Sequence, residues 1–217
     1  MKFPSKKEFI AYAKLYFLLS ILFTLVYGFT NWFTQYREWK LHLYFDFELG
    51  IPFIPEFIFI YFSIMLLFWS PIFFLEENAF YPLAKSFCFA TVIAGLLFLA
   101  LPAELGFKRP EKVLGFETIY SLLYQLELPH NLVPSLHITY SFLLSFWNLA
   151  YSKNNVWKFV FAVWLLLICL SVLFVHQHHI LDIFAGILLA LISFHIFHSW
   201  EGQRRSIRIE SRSSPES

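Results

Sequence analysis

The stretch FVFAVWLLLICLSVLFVHQHHILDIFAGILLALISFHIFHSW, residues 159–200, holds two apolar runs of membrane length with the polar group His176-Gln177-His178-His179 between them. A helix of about 20 residues covers the ~30 Å of bilayer hydrocarbon. Backbone groups in lipid must be bonded within the segment, so runs this apolar and this long read as helices. Working outward, uncharged runs at 15–36, 57–75, 86–103 and 131–152 join 159–175 and 183–200. The chain is therefore expected to be all-α, an integral membrane bundle of six transmembrane helices over residues 1–200.

Composition points the same way. The 217 residues are 59% hydrophobic and only 14% charged, outside the range of soluble domains. A net charge of +1, with no basic block before the tail, argues against a nucleic-acid partner. Cys88 and Cys169 both fall inside expected spans and read as small buried hydrophobes. The tail, 201–217, carries Arg204, Arg205, Arg208 and Arg212 among serines and is expected to be a disordered, basic, cytoplasmic segment.

Cytoplasmic loops collect Lys and Arg, which orients the bundle. The N-terminal segment, the second and fourth connectors and the tail hold 11 of these residues, against 5 in loops one and three. Both termini are thus expected in the cytoplasm. Loop three, the start of span four and the junction of spans five and six then share the non-cytoplasmic face of an inner or plasma membrane. Three polar groups converge there: Lys108-Arg109-Pro110, Pro134-Ser135-Leu136-His137, and His178 with Asp182. Loop one, with Phe45-Asp46-Phe47-Glu48 and Ile51-Pro52-Phe53-Ile54-Pro55, reads as an aromatic segment lying at the interface.

The chemistry of each group follows from its residue types. His178 and Asp182 stand four apart, so on a helix the carboxylate accepts a hydrogen bond from one ring nitrogen and frees the other for use as base or nucleophile. Arg109 presents a planar fork matching phosphate oxygens, with Lys108 beside it. Ser135 and His137 fall near a helix N-terminus, where free N–H groups favour an anion. Glutamates outside these groups, and His42, His195 and His198, are read as dispensable for the chemistry.

In that order the three groups resemble the three-part motif of the type 2 phosphatidic acid phosphatase (PAP2) superfamily, and Pro134-Ser135-Leu136-His137 resembles the branch with sphingolipid and inositol headgroup synthases. The resemblance implies a six-helix, metal-independent membrane enzyme that needs no cofactor and takes a lipid phosphate among membrane lipids. It implies that His178 is the nucleophile, that Asp182 orients it, and that His137 protonates the leaving alkoxide. Arg109 and Ser135 would hold phosphate oxygens, with Lys108 and His176 as partial substitutes for missing charge. Two positions depart from the pattern: Pro102 stands where the first motif often has lysine, and Ser171-Val172 where the third often has Ser-Arg. A phospho-histidine resolved by water makes the chain a phosphatase. One resolved by an alcohol makes it a headgroup phosphotransferase.

Two other readings compete. His176, His178, His179 and Asp182 have spacings that suit zinc or iron, and the aromatic content suits a transporter or scaffold. Sidedness further leads us to expect a two-tailed lipid that reaches His178 laterally, its tails left in the bilayer.

Overall fold

A computed structural model describes residues 1–213. The chain is all-helical among these residues, with a single isolated bridge, Leu41 to Ala103, outside the helices. Helix α1, Lys6–Gln35, starts earlier than expected because Ser5 and Glu8 form a capping box: the Ser5 hydroxyl accepts from the Glu8 N–H at 3.2 Å and the Glu8 carboxylate from the Ser5 N–H at 2.8 Å. The expected second span is broken into α2 (Ile58–Phe62), α3 (Ile64–Trp69) and α4 (Pro71–Phe74). Ser63 and Ser70, at the breaks, each donate to the carbonyl three residues back at 2.6 Å, and Pro71 brings no N–H to continue the ladder. Helix α5, Glu77–Ala100, is followed by a long connector holding the short α6, Glu117–Leu126. Then come α7 (Leu136–Tyr151), α8 (Asn155–Phe174) and α9 (Ile180–Ser213).

Four helices, α1, α5, α8 and the part of α9 up to Ser199, are long and apolar enough to cross a membrane. The six-span expectation is met for these four; α2–α4 are interrupted, and α7 has only 16 residues. The expected disordered tail, 201–217, falls on residues whose side chains, and beyond Ser213 whose backbone, lie outside the described residues.

Helices α5, α7 and α9 pack on one another at the centre, α1 lies against α5, and α8 covers α7 and α2. Gly186 sets the approach of α9 to α7: a Cβ there would stand 2.7 Å from the Ser135 carbonyl oxygen. The successive passes reverse direction, so the connectors sort to two ends. At one end Leu41 bonds Pro102, Ile54 bonds Phe174 and Ser135 bonds Asp182 through the backbone. At the other, Lys2 bonds Phe73 and Lys7 pairs with Glu77. The first end gathers loop one, the α5–α7 connector and the α8–α9 turn.

Candidate active site

The turn between α8 and α9 is built by helix capping. Helix α8 closes with a Schellman motif: Gln177 N–H bonds the Val172 carbonyl and His176 N–H the Leu173 carbonyl, both at 3.0 Å. His176 fills the left-handed position, φ 55°, that glycine usually takes. Helix α9 then opens under two carboxylates. Asp182 accepts the His179 N–H at 2.8 Å, and Glu48 from loop one accepts the Ile180 N–H at 2.8 Å. Both satisfy free amides at the positive end of the helix.

This sorts the three histidines. His178 Nδ1 lies 3.1 Å from Asp182 Oδ2, and both side chains are buried. The carboxylate fixes Nδ1 as the donor, leaving the Nε2 lone pair of His178, whose ring lines a cavity of about 490 Å³. His179 has both nitrogens engaged: Nδ1 donates to Glu48 at 3.1 Å, and Nε2 accepts from the Gly106 N–H at 3.0 Å. That pattern requires the neutral ring, and burial lowers the pKa of His179 accordingly. The ring sits between Tyr44 and Phe107, with centroids 4.5 and 4.4 Å away, and Phe107 stacks in turn on His176 at 4.1 Å. His176 Nε2 donates to the Ile51 carbonyl at 3.0 Å. A shared metal would have to strip His179 of its partners, and among the described residues no three His, Cys, Asp or Glu side chains stand where they could hold one, so the donor set does not fit zinc or iron.

Across the cavity wall from His178 stands His137, in the first turn of α7, its ring stacked on Tyr61 at 3.9 Å. Its Nε2 is buried without a hydrogen-bond partner. Ser135 caps α7, accepting from the Ile138 N–H at 3.3 Å, while its own N–H donates to the Asp182 carbonyl at 3.1 Å. This joins the second and third motifs directly. Arg109 stands behind the wall. One guanidinium nitrogen donates to Gln177, next to His178, and another to the Glu127 carbonyl, both at 2.7 Å. The guanidinium lies over the Tyr124 ring at 4.8 Å, and its Nε is buried and unpartnered. Burial lowers its pKa, against the pull of Glu127; a guanidinium keeps its charge regardless. Lys108 is exposed and makes no hydrogen bond or ion pair to any of these residues.

Three participants in this geometry escaped the sequence reading. Glu127 lines the cavity with His137 and His178, its carboxylate accepting from the Tyr61 hydroxyl at 2.5 Å. Burial raises its pKa above the usual carboxylate value. It is a lone acid between Leu126 and Leu128, a weak signal. Gln177 could have been found from its place inside the histidine group. Glu48, fully buried, was hidden in a loop whose exposed Phe45 and Phe47 do suit an interface. His195 and His198 are exposed near the far end of the apolar part of α9, and His42 pairs with Glu104 at 3.2 Å at the surface.

No curated protein and no solved structure matches the chain. Residues 83–206 match the family model of the PAP2 superfamily, a span that runs from α5 into α9 and contains Arg109, Ser135, His137, His178 and Asp182. With more than half its length matched and the three motif groups meeting at one end of the bundle, the chain belongs to the PAP2 superfamily.

Proposed function

We propose that this protein is a membrane lipid phosphatase that removes phosphate from a lipid phosphomonoester or pyrophosphate through a phospho-histidine. Members of the superfamily are phosphatases or phosphotransferases. The observation that carries the finer reading is the cavity wall shared by His178 and His137, with His178 Nδ1 held by a buried carboxylate. The Nε2 lone pair of His178 attacks phosphorus, and the bond to the lipid oxygen breaks. That oxygen takes a proton from His137. Water then attacks the phosphoryl group, giving its proton back to His137, and the P–N bond breaks to restore His178. Asp182 stabilises the charge that His178 acquires in both steps. The α7 N-terminus capped by Ser135 holds the phosphate oxygens, Arg109 supports them with its fixed charge from behind the wall through Gln177, and Lys108 adds long-range positive charge.

Headgroup transfer to an alcohol is the second reading, favoured by the leucine in Pro134-Ser135-Leu136-His137. Phosphate release from purified protein, given phosphatidate, phosphatidylglycerol phosphate and a polyprenyl pyrophosphate in turn, with and without an alcohol acceptor, separates the two. We expect release without acceptor, and loss of about 10⁴-fold or more in His178→Ala, the scale seen when a covalent nucleophile is removed. Release from none of the lipids, or an active His178→Ala protein, overturns the reading.

In this proposal all six passes cross the bilayer and the site faces the non-cytoplasmic side, as the charge count indicates. Glu111→Cys and Lys153→Cys replace exposed residues of connectors at opposite ends. An impermeant thiol reagent on intact cells should modify the first and spare the second; the reverse pattern inverts the topology.

A further inference from the structure

The cavity that His137 and His178 share does not end at them. It continues between α1, α3, α5 and α7 to Tyr12 and Phe80, near the opposite end of the bundle. Its histidine, carboxylate and amide side chains all lie at one end, in His137, His178, Glu127 and Asn131, where His137 Nε2 and Asn131 Oδ1 are buried without partners. Beyond them the wall is chiefly aromatic and aliphatic. From Tyr27 to Tyr12 along α1 it runs about 22 Å at 1.5 Å per residue, well past the ~15 Å of one leaflet's hydrocarbon. Thr24 and Met65, both exposed, line it where α1 and α3 part, so it also opens sideways.

The far end is closed by packed rings. Tyr12 meets Phe80 edge-on at 5.2 Å and is held in place by a hydrogen bond from its hydroxyl to the Phe68 carbonyl. Trp69 backs it at 6.2 Å. Ala84, one turn along α5 from Phe80, leaves the width that a larger side chain would fill. A blind apolar space, continuous with a polar pocket and longer than a leaflet is deep, suits one extended hydrocarbon chain attached to the group at His178.

We propose that one hydrocarbon chain of the lipid phosphate lies inside the bundle and that Tyr12, Phe80 and Ala84 form the wall that limits its length. This rests on the reading of the pocket as a lipid-phosphate site and replaces the expectation that all tails stay in the surrounding bilayer. For short chains that arrive from water, each methylene that finds apolar wall raises kcat/KM by about two- to fourfold; for chains that arrive from detergent or bilayer the gain is smaller, and it ends at the length at which the chain meets Tyr12. Longer chains lose that gain.

The test uses purified full-length protein and two probes. The first is a series of monoalkyl phosphates from octyl to tetracosyl. We expect kcat/KM to rise, peak and fall, with Ala84→Phe moving the peak to shorter chains and Tyr12→Ala moving it to longer ones. The second is a non-hydrolysable octadecyl phosphonate with a photoreactive diazirine on its terminal carbon, mapped by peptide mass spectrometry. It should label the Tyr12 and Phe80–Ala84 segments. Labelling there without turnover of any phosphate keeps the chain site and overturns the activity. Turnover that ignores chain length in the wild type, with labelling only of lipid-facing residues such as Phe17 and Leu18, overturns the chain site and leaves the activity standing.

Discussion

His178 and His179 are adjacent in the chain and bonded to different carboxylates, and the difference assigns them different work. Asp182 takes one nitrogen of His178 and leaves the other at the cavity, while Glu48 and the Gly106 amide take both nitrogens of His179. Glu48 is fully buried yet accepts from three donors: the Phe45 and Ile180 amides and His179. A desolvated carboxylate is tolerated when its oxygens are bonded in this way. The sequence spacing of four was enough to pair His178 with Asp182, since that contact is local to one helix turn. Glu48 and His179 stand 131 residues apart, and no local pattern announces such a pair.

Between elements, loop one is tied to the α6–α7 connector by Lys40, whose ammonium lies 3.1 Å from Nδ1 of His130. Burial first, then the Lys40 charge, lowers the His130 pKa from 6.5 to about 4. The native ring therefore stays neutral where an unfolded chain would take a proton. Its contribution to stability is present above pH 6.5 and is lost as pH falls from there through about 4. His176 and His179, lowered by burial, act in the same direction. The thermal unfolding midpoint in detergent should fall over this window, and His130→Gln should make the fall shallower. An equal slope in the variant would show that His130 is not held neutral in the folded protein. Helices α1, α5, α8 and α9 were legible because long apolar runs have few alternatives in lipid. The breaks in the second pass were not, because serines inside an apolar run look like ordinary span residues until they bond the carbonyls of the turn before.

For the whole molecule, alternation of the passes brings motifs spread from Arg109 to Asp182 to one end, and the capping of α7 and α9 locks two of them together through the Ser135 to Asp182 bond. That convergence could be anticipated by counting spans and charges. The interior cavity could not, because it is a gap between α1 and α3 that depends on how far the helices stand apart. We propose that His178 carries the phosphoryl group at the head of this cavity. This is tested most directly by quenching the enzyme during turnover of a ³²P-labelled lipid phosphate and mapping the acid-labile label by mass spectrometry. Phosphate is expected on the peptide containing His178, absent from His178→Ala and retained in His179→Ala protein that is folded. Label on another residue, or full turnover with none on His178, would contradict it.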